Sequence, residues 1–292
     1  MSSIWLLTGR NLRLFFRDRI GVFFSLLSAI ILIALYALFL GGLQVDTLRA
    51  SFPQAADADV RWFVDSWVFA GITMITTLTT AIAGLGVFVD DNVTGRFRDF
   101  MVSPLRRSQV VLGYLIAGFI ISVIMTTVII VIGQLYLLTQ GHPPLTPGNL
   151  GTTFAFVLLS SATFSGLGAF IVTFLQTAGA FTAVSTVIGS LIGFFSGAYV
   201  PAGTLPAGVV TMINTLPFAQ AAMLIRRPYT EQAASALAGG DQAALDGIRD
   251  FYGMTASIGS LELTAGVASL ALAAVFALFL SLGVWRLSAK IR

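Results

Sequence analysis

Side chains that commonly carry catalysis or bind metals are scarce in this sequence. The chain has no cysteine, one histidine (His142) and one lysine (Lys290). A phosphate-binding P-loop needs a lysine directly after a glycine-rich loop, and no such loop precedes Lys290. A single histidine excludes histidine triads and HExxH zinc sites. The sequence therefore predicts neither an enzyme nor a metal site.

Hydroxyl groups lie along one side of the apolar run 66–89. Thr73, Thr76, Thr77 and Thr80 have the i, i+3, i+4, i+7 spacing that places them on one face of a helix. Such a face could line a polar cavity that contacts substrate. Its hydroxyls could instead bond to preceding carbonyls and pack against neighbouring helices. Both alternatives remain open at this point.

Another apolar run, residues 180–199, carries small residues at every fourth position. They are Ser185, Gly189, Gly193 and Gly197. Stripes of this kind let helix backbones approach closely, either within one subunit or between two subunits. Phe194 and Phe195 lie beside the stripe and could contact an apolar substrate or face lipid.

Charge is concentrated in residues 90–113, between two long apolar runs. This segment holds seven of the charged residues, whereas residues 66–89 before it hold none. Its apolar residues recur at helical spacing, and Pro104 would end that helix. We therefore predict a short amphipathic helix at the membrane surface that offers a face to a soluble partner. The alternative is an ordinary connecting loop whose arginines only fix topology.

Composition indicates an all-α polytopic membrane protein with one domain over residues 1–292. The chain is 57% hydrophobic and 10% charged, with a mean hydropathy of +0.91, whereas soluble domains are about 25% charged. The basic pI follows from charge asymmetry across a membrane and does not indicate nucleic-acid binding. The six predicted spans cover residues 20–43, 66–89, 108–138, 150–175, 180–199 and 263–285.

Segments outside the spans have patterns of their own. Residues 1–19 interleave arginines with apolar residues, which predicts an interfacial helix before the first crossing. The run that follows is too long for a signal-peptide core, so we expect it to be retained. Three prolines cut residues 201–225 into pieces too short to cross, which predicts a re-entrant or interfacial hairpin. Asp241 is a candidate helix cap in the polar stretch beyond.

Six spans place both termini on one side of the membrane, and charge identifies that side. The side with the termini and residues 90–107 holds 11 of the 16 Lys and Arg residues but four of the 13 acids. By the positive-inside rule, this side is cytoplasmic. The glycosylation-like triplet Asn92–Thr94 falls inside, and His142 falls in an outer loop.

The interiors of the predicted spans hold no ionisable acid or base. Ion-coupled carriers generally need such groups at membrane depth, so a proton- or sodium-driven mechanism is disfavoured. Energy for transport would then enter from outside the bilayer, and the central amphipathic helix is the natural entry point. A secondary carrier or channel, and a scaffold that does not transport, are the rival hypotheses.

The order of these elements resembles the permease subunits of type-2 ABC exporters, the group that includes drug, polysaccharide and teichoic-acid exporters. The resemblance covers nearly the whole chain. After span two, the family carries an acidic stretch, a glycine, a Leu-Leu-like pair, a proline, an arginine and an apolar-Gly step. The matching residues are Asp90-Asp91, Gly95, Phe100-Met101, Pro104, Arg107 and Leu112-Gly113.

A further group of matches precedes span six, where the family has Ser-Gly, Pro, Leu-Pro, Asn-Pro and Arg. The matching residues are Ser196-Gly197, Pro201, Leu205-Pro206, Leu216-Pro217 and Arg226. The chain also departs from the family. Aspartates replace the usual glutamates, Tyr114 stands where a lysine often follows the glycine, and Leu216 stands where Asn precedes the proline.

The resemblance implies an ATP-driven exporter made of two permease subunits, identical or related, and two cytoplasmic ATPase subunits. ATP and Mg would bind to the ATPase, and this chain would be a non-catalytic permease without a cofactor of its own. Residues 94–104 would form the coupling helix that docks on the ATPase. Its candidate contact residues are Gly95, Arg96, Phe97, Phe100, Met101 and Pro104.

Substrate would cross between the two permeases. An amphipathic drug or lipid is favoured, because no carbohydrate-binding domain is appended and the candidate lining mixes Thr with Phe. Export of a polysaccharide or glycolipid is the alternative within the same family.

Overall fold

The protein is almost entirely helical in the computed structural model, which describes residues 3–96, 105–259 and 261–290. The helices are α1 (Ser3–Arg17), α2 (Arg19–Ser25), α3 (Leu27–Leu35), α4 (Gly41–Ser51), α5 (Asp57–Gly84), α6 (Gly86–Val93), α7 (Arg107–Thr139), α8 (Pro147–Val172), α9 (Ala178–Phe195), α10 (Ala207–Asn214), α11 (Pro217–Leu237), α12 (Gln242–Phe251) and α13 (Ala265–Lys290). A π-helical turn (Tyr36–Leu40) joins α3 to α4, and a 3-10 turn (Ala202–Thr204) precedes α10. Strands β1 (Ser257–Ile258) and β2 (Leu261–Glu262) pair as a short antiparallel hairpin.

Six helical segments of the described chain are long and apolar enough to cross a membrane. They are Ala29–Ser51, Asp57–Val93, Ser108–Thr139, Pro147–Val172, Ala178–Phe195 and Ala265–Arg286. Helices α10 and α11 would add a seventh only if this pair, bent by 91°, formed a single crossing. The predicted all-α polytopic architecture is therefore confirmed.

The first two crossings differ from their predicted bounds. The helix of the first span is interrupted at Leu26 and then continues through the π-helical turn to Ser51. Helix α5 already begins at Asp57, so most of residues 44–65, predicted as a polar connection, is helical. Charges are tolerated at these helix ends because they are exposed and can pair. Arg49 Nε donates to Asp57 Oδ1 at 2.8 Å across the break.

Helix α5 forms the centre of the bundle, where α7, α8 and α11 pack around it. Its side chains Phe63, Trp67, Ile72 and Leu78 are fully buried. By contrast, only a small part of α9 and of α13 is buried inside the chain. These two helices therefore present broad apolar faces away from the bundle.

Prolines and one aspartate shape the segment between α9 and α13. Leu216 adopts an extended conformation (φ −86°, ψ 143°) before Pro217, the first residue of α11, and the chain turns there. The predicted cap is confirmed, because Asp241 Oδ1 accepts from the amides of Ala243 and Ala244 at 2.9 and 3.3 Å. This cap begins α12 as a separate short helix.

Candidate functional site

A buried carboxylate joins three helices at one end of the bundle. Asp91 lies in the last turn of α6, and its side chain is 1% exposed. Arg10 of α1 donates from Nη1 to Oδ2 at 2.6 Å and from Nη2 to Oδ1 at 2.8 Å. Tyr114 of α7 donates its hydroxyl to Oδ2 at 2.5 Å. We call Arg10, Asp91 and Tyr114 the junction, since they link α1, α6 and α7.

The junction compensates the cost of burying the Asp91 charge. A buried carboxylate requires a partner cation and hydrogen bonds to its oxygens, and a bidentate arginine contact supplies both. The hydrogen bond to Asp91 also raises the pKa of Arg10 above its ordinary value. Arg96 adds a more distant positive charge, with Nη1 3.7 Å from Oδ1. Asp91 is therefore held by opposite charge as well as by hydrogen bonds.

Close packing of α1 on α7 explains the glycine beside Tyr114. A Cβ on Gly113 would lie 2.7 Å from Cβ of Leu7, so a larger residue would push α1 away. Thr8 Oγ1 donates to the Gly113 carbonyl at 3.4 Å in the same contact. The ring of Tyr114 packs edge-on against Phe88, with centroids 5.2 Å apart. These contacts place the Tyr114 hydroxyl against Asp91.

The junction directly precedes the predicted coupling helix. Gly95 has φ +76° and follows the end of α6, a conformation that glycine adopts without strain. The side chain of Arg96 is 57% exposed. The remaining predicted contact residues, Phe97, Phe100, Met101 and Pro104, lie outside the described residues.

The four threonines of α5 are fully buried inside the chain. Thr73, Thr77 and Thr80 donate to the carbonyls four residues earlier at 2.7, 2.8 and 2.6 Å. Ser122 of α7 donates to the Thr77 carbonyl at 2.7 Å. The threonine face therefore packs against α7 in this conformation, and contact with a substrate remains a prediction for all four, Thr76 included.

The stripe of small residues on α9 divides into two halves. Ser185 and Gly189 are partly exposed. Gly193 is buried beneath the Tyr199 ring, since an added Cβ would collide with that ring. Gly197 has φ +63° and follows the end of α9. Gly193 and Gly197 therefore contact other parts of the same chain.

Backbone geometry at the end of α9 requires that glycine. The amide of Ala198 donates to the Gly193 carbonyl at 2.8 Å, and the amide of Gly197 donates to the Phe194 carbonyl at 3.1 Å. This pair of bonds is a Schellman motif, which needs a left-handed residue just past the helix. The turn leaves Phe194 54% exposed.

A buried arginine contacts the same helix end. Arg226 of α11 is 2% exposed. Its Nη2 donates to the carbonyls of Ser196 and Gly197 at 3.0 and 3.1 Å. Its Nη1 donates to the carbonyls of Tyr252 and Gly253, both at 3.1 Å. We call these four bonds the arginine clamp, because they tie α9, α11 and α12 together.

Helix geometry explains how the arginine clamp holds a buried charge. The four acceptors follow the ends of α9 and α12, where carbonyl groups and the helix dipoles present negative potential. The Trp67 ring covers the guanidinium, 5.4 Å from Cζ to the ring centroid. Among the described residues no carboxylate pairs with Arg226. Backbone dipoles therefore take the place of a counter-ion.

A comparison with known protein families supplies the identification. The model of the ABC-2 type transporter family matches residues 2–227. The chain belongs to this family. Among curated proteins, none matches it. The matched range of the permease contains the whole junction, and its last residues include Arg226, which resembles the family's arginine before span six.

The sequence of the permease contains signals for these residues but not for their contacts. Arg10 was one of several interfacial arginines, Asp91 one of two adjacent acids, and Tyr114 a departure from the family pattern. Arg10 and Asp91 are 81 positions apart, and no helical period connects residues so distant. The available signal was that Asp91 and Tyr114 both fall beside the predicted coupling helix.

Proposed function

We propose that this permease is the transmembrane subunit of an ATP-driven exporter, and that a separate ATPase subunit docks on residues 94–104. The junction carries the proposal, because it fixes three helices directly beside that segment. A movement delivered to residues 94–104 would reach α1, α6 and α7 together, since a buried, fully satisfied polar network resists separate motion of its parts.

The complete transporter would contain two permeases and two ATPase subunits. The ATPase would bind ATP and Mg and hydrolyse ATP, and this chain would have no catalytic role. The exposed apolar faces of α9 and α13 supply surface for a second permease, identical or related, and for membrane lipid. Ser185 and Gly189 lie on the part of α9 that remains accessible to such a partner.

Both termini and the junction would face the cytoplasm, and the arginine clamp would face the opposite side. Charge asymmetry supports this placement, since 11 of the 16 basic residues fall on the proposed inner side. The permease would therefore lie in the cytoplasmic membrane, with its ATPase site inside the cell.

The exported compound would be amphipathic, either drug-like or lipid-like, and the activity would be efflux that can confer multidrug resistance. Phe194 supports this choice, because its ring is 54% exposed near the end of α9. Phe195, next to it, is partly exposed. The α5 threonines would reach the compound only in a state in which α5 and α7 separate.

Isolation of the permease from its native membrane tests this function. A P-loop ATPase should co-purify with it, and the reconstituted complex should move a fluorescent amphipathic compound only when ATP is supplied. A partner ATPase with its P-loop lysine replaced serves as the control and should support no transport. Transport that persists under an ion gradient without any ATPase would instead establish a secondary carrier.

A further inference from the structure

One side of α1 faces away from the rest of the protein. Its buried residues, among them Leu7, Asn11 and Phe15, lie on the side that packs against the bundle. The opposite side exposes Trp5, Leu6 and Phe16, at 55%, 58% and 38%. Exposed aromatic residues on an amphipathic helix are typical of a helix lying in the membrane interface.

Arginines lie among these exposed rings. Arg13 and Arg17 are exposed on α1, and Arg19 is exposed at the start of α2. Among the described residues none of the three belongs to an ion pair, whereas Arg10, Arg49 and Arg249 all do. We call Arg13, Arg17, Arg19 and the three exposed apolar residues of α1 the basic face.

The nearest acid is already engaged. Asp18 lies between Arg17 and Arg19 and caps α2, where Oδ1 accepts from the amide of Gly21 at 2.9 Å. Its carboxylate therefore caps α2. The three guanidinium groups on the basic face have no carboxylate partner in the described chain. Guanidinium groups bind phosphate oxygens in a two-pronged geometry.

We propose that the basic face binds the phosphate headgroups of anionic lipids, with Trp5, Leu6 and Phe16 setting its depth in the interface. The charge complementarity is direct, because the inner leaflet carries negative surface potential and attracts arginines placed next to apolar anchors. The proposal specifies an anionic headgroup. An interfacial helix does not by itself require one.

The proposal has a consequence for the junction, because Arg10 lies on the same helix as Arg13 and Arg17. A ligand that binds one conformation stabilises that conformation. Anionic lipid on the basic face would therefore favour the position of α1 in which Arg10 reaches Asp91. The lipid composition of the inner leaflet would regulate how firmly α1 is held beside the coupling segment.

Quenching by brominated lipids tests the proposal in nanodiscs. The reporter is Phe16→Trp, which lies between Arg13 and Arg17, and its signal is the quenching gained over the parent protein. Brominated phosphatidylglycerol competes with phosphatidylcholine, which gives the preference of the site for the anionic headgroup. The measurement needs neither ATPase nor transport, so it can fail or succeed independently of the proposed function.

Two double variants remove the same charge from different places. Arg13→Gln/Arg17→Gln removes it from the basic face and keeps good helix formers. Arg61→Gln/Arg227→Gln is the control, because these arginines are exposed but lie elsewhere. At about fivefold per arginine, the first pair should lower the preference for phosphatidylglycerol roughly 25-fold, and the control pair should leave it within about twofold.

Salt gives an independent check that requires no arginine substitution. Raising the ionic strength should weaken the headgroup preference of the Phe16→Trp protein, since exposed charges are screened. Equal preference for both lipids in the Phe16→Trp protein, or an equal loss in both double variants, would overturn the proposal. So would unchanged lipid preference combined with loss of ATPase binding in Arg13→Gln/Arg17→Gln, because the basic face would then be a protein contact.

Discussion

Arg10 holds Asp91 through two parallel hydrogen bonds of 2.6 and 2.8 Å. The two side chains differ in exposure, at 30% for Arg10 and 1% for Asp91. The carboxylate therefore depends on the arginine more than the arginine depends on the carboxylate. This asymmetry means that the two single substitutions should have unequal effects.

Arg10→Met should destabilise the permease by about 3 kcal/mol, because it leaves the Asp91 charge buried without its main partner. Asp91→Asn should cost less, since Arg10 can turn toward solvent. The double variant should be more stable than Arg10→Met alone. Free energies of unfolding from SDS titration in neutral detergent check this cycle, with Arg61→Met as the control. Strict additivity of the two single changes would show that the pair contributes nothing.

The sequence predicted the architecture because long apolar runs and charge asymmetry are local properties. It missed the helical state of residues 44–65, since polar composition resembles a loop even where a helix continues beyond the membrane. The bonds from Arg226 to four carbonyls could not be predicted from the sequence for a different reason. Backbone acceptors carry no residue identity, so no acid in the sequence marks the partner of that arginine.

Arg226→Lys should destabilise the permease although it keeps the charge. An ammonium group has no planar fork, so it cannot span the carbonyls that follow both α9 and α12. Losing two of the four bonds should cost about 3 kcal/mol or more. Arg227→Lys is the matched control, because Arg227 is the next residue and is exposed, and it should stay within about 0.5 kcal/mol of the parent. Thermal unfolding in detergent measures both, and equal melting temperatures would refute the clamp.

Gly193→Ala should destabilise the end of α9, because the new methyl would collide with the Tyr199 ring. Overpacking of this kind costs about 1–3 kcal/mol. Adding Tyr199→Ala should recover most of the loss by removing the ring. Gly179→Ala is the control, since an added Cβ there has no atom within 4 Å. If Gly193→Ala proved as stable as the control, the contact with Tyr199 would not constrain this position.

Single cysteines should report the two sides of the membrane, since the chain has none of its own. Ser235, exposed on α11, falls on the proposed outer side. Ser288, near the end of α13, falls on the inner side. In intact cells an impermeant maleimide should therefore label Ser235→Cys and not Ser288→Cys, and permeabilised cells should label both. Equal labelling in intact cells would contradict the topology.

Phe97 and Phe100 should anchor the ATPase subunit, although both lie in the stretch outside the described residues. The segment begins at the turn of Gly95, shortly after the buried Asp91. A movement of the docked segment would therefore act on a residue that is fixed within the bundle. Truncating a buried aromatic anchor at an interface typically costs about 2 kcal/mol or more, and a charge at the rim costs less.

Phe97→Ala and Phe100→Ala should therefore weaken ATPase binding on the order of 30-fold, or uncouple hydrolysis from transport, while membrane insertion stays intact. Arg98→Ala is the matched control and should have a much smaller, salt-sensitive effect. Binding of the purified ATPase to the permease in nanodiscs, together with substrate-stimulated hydrolysis, measures both properties. If both phenylalanine variants kept full binding and stimulation, these rings would serve only as lipid anchors, and the coupling assignment would have to be withdrawn.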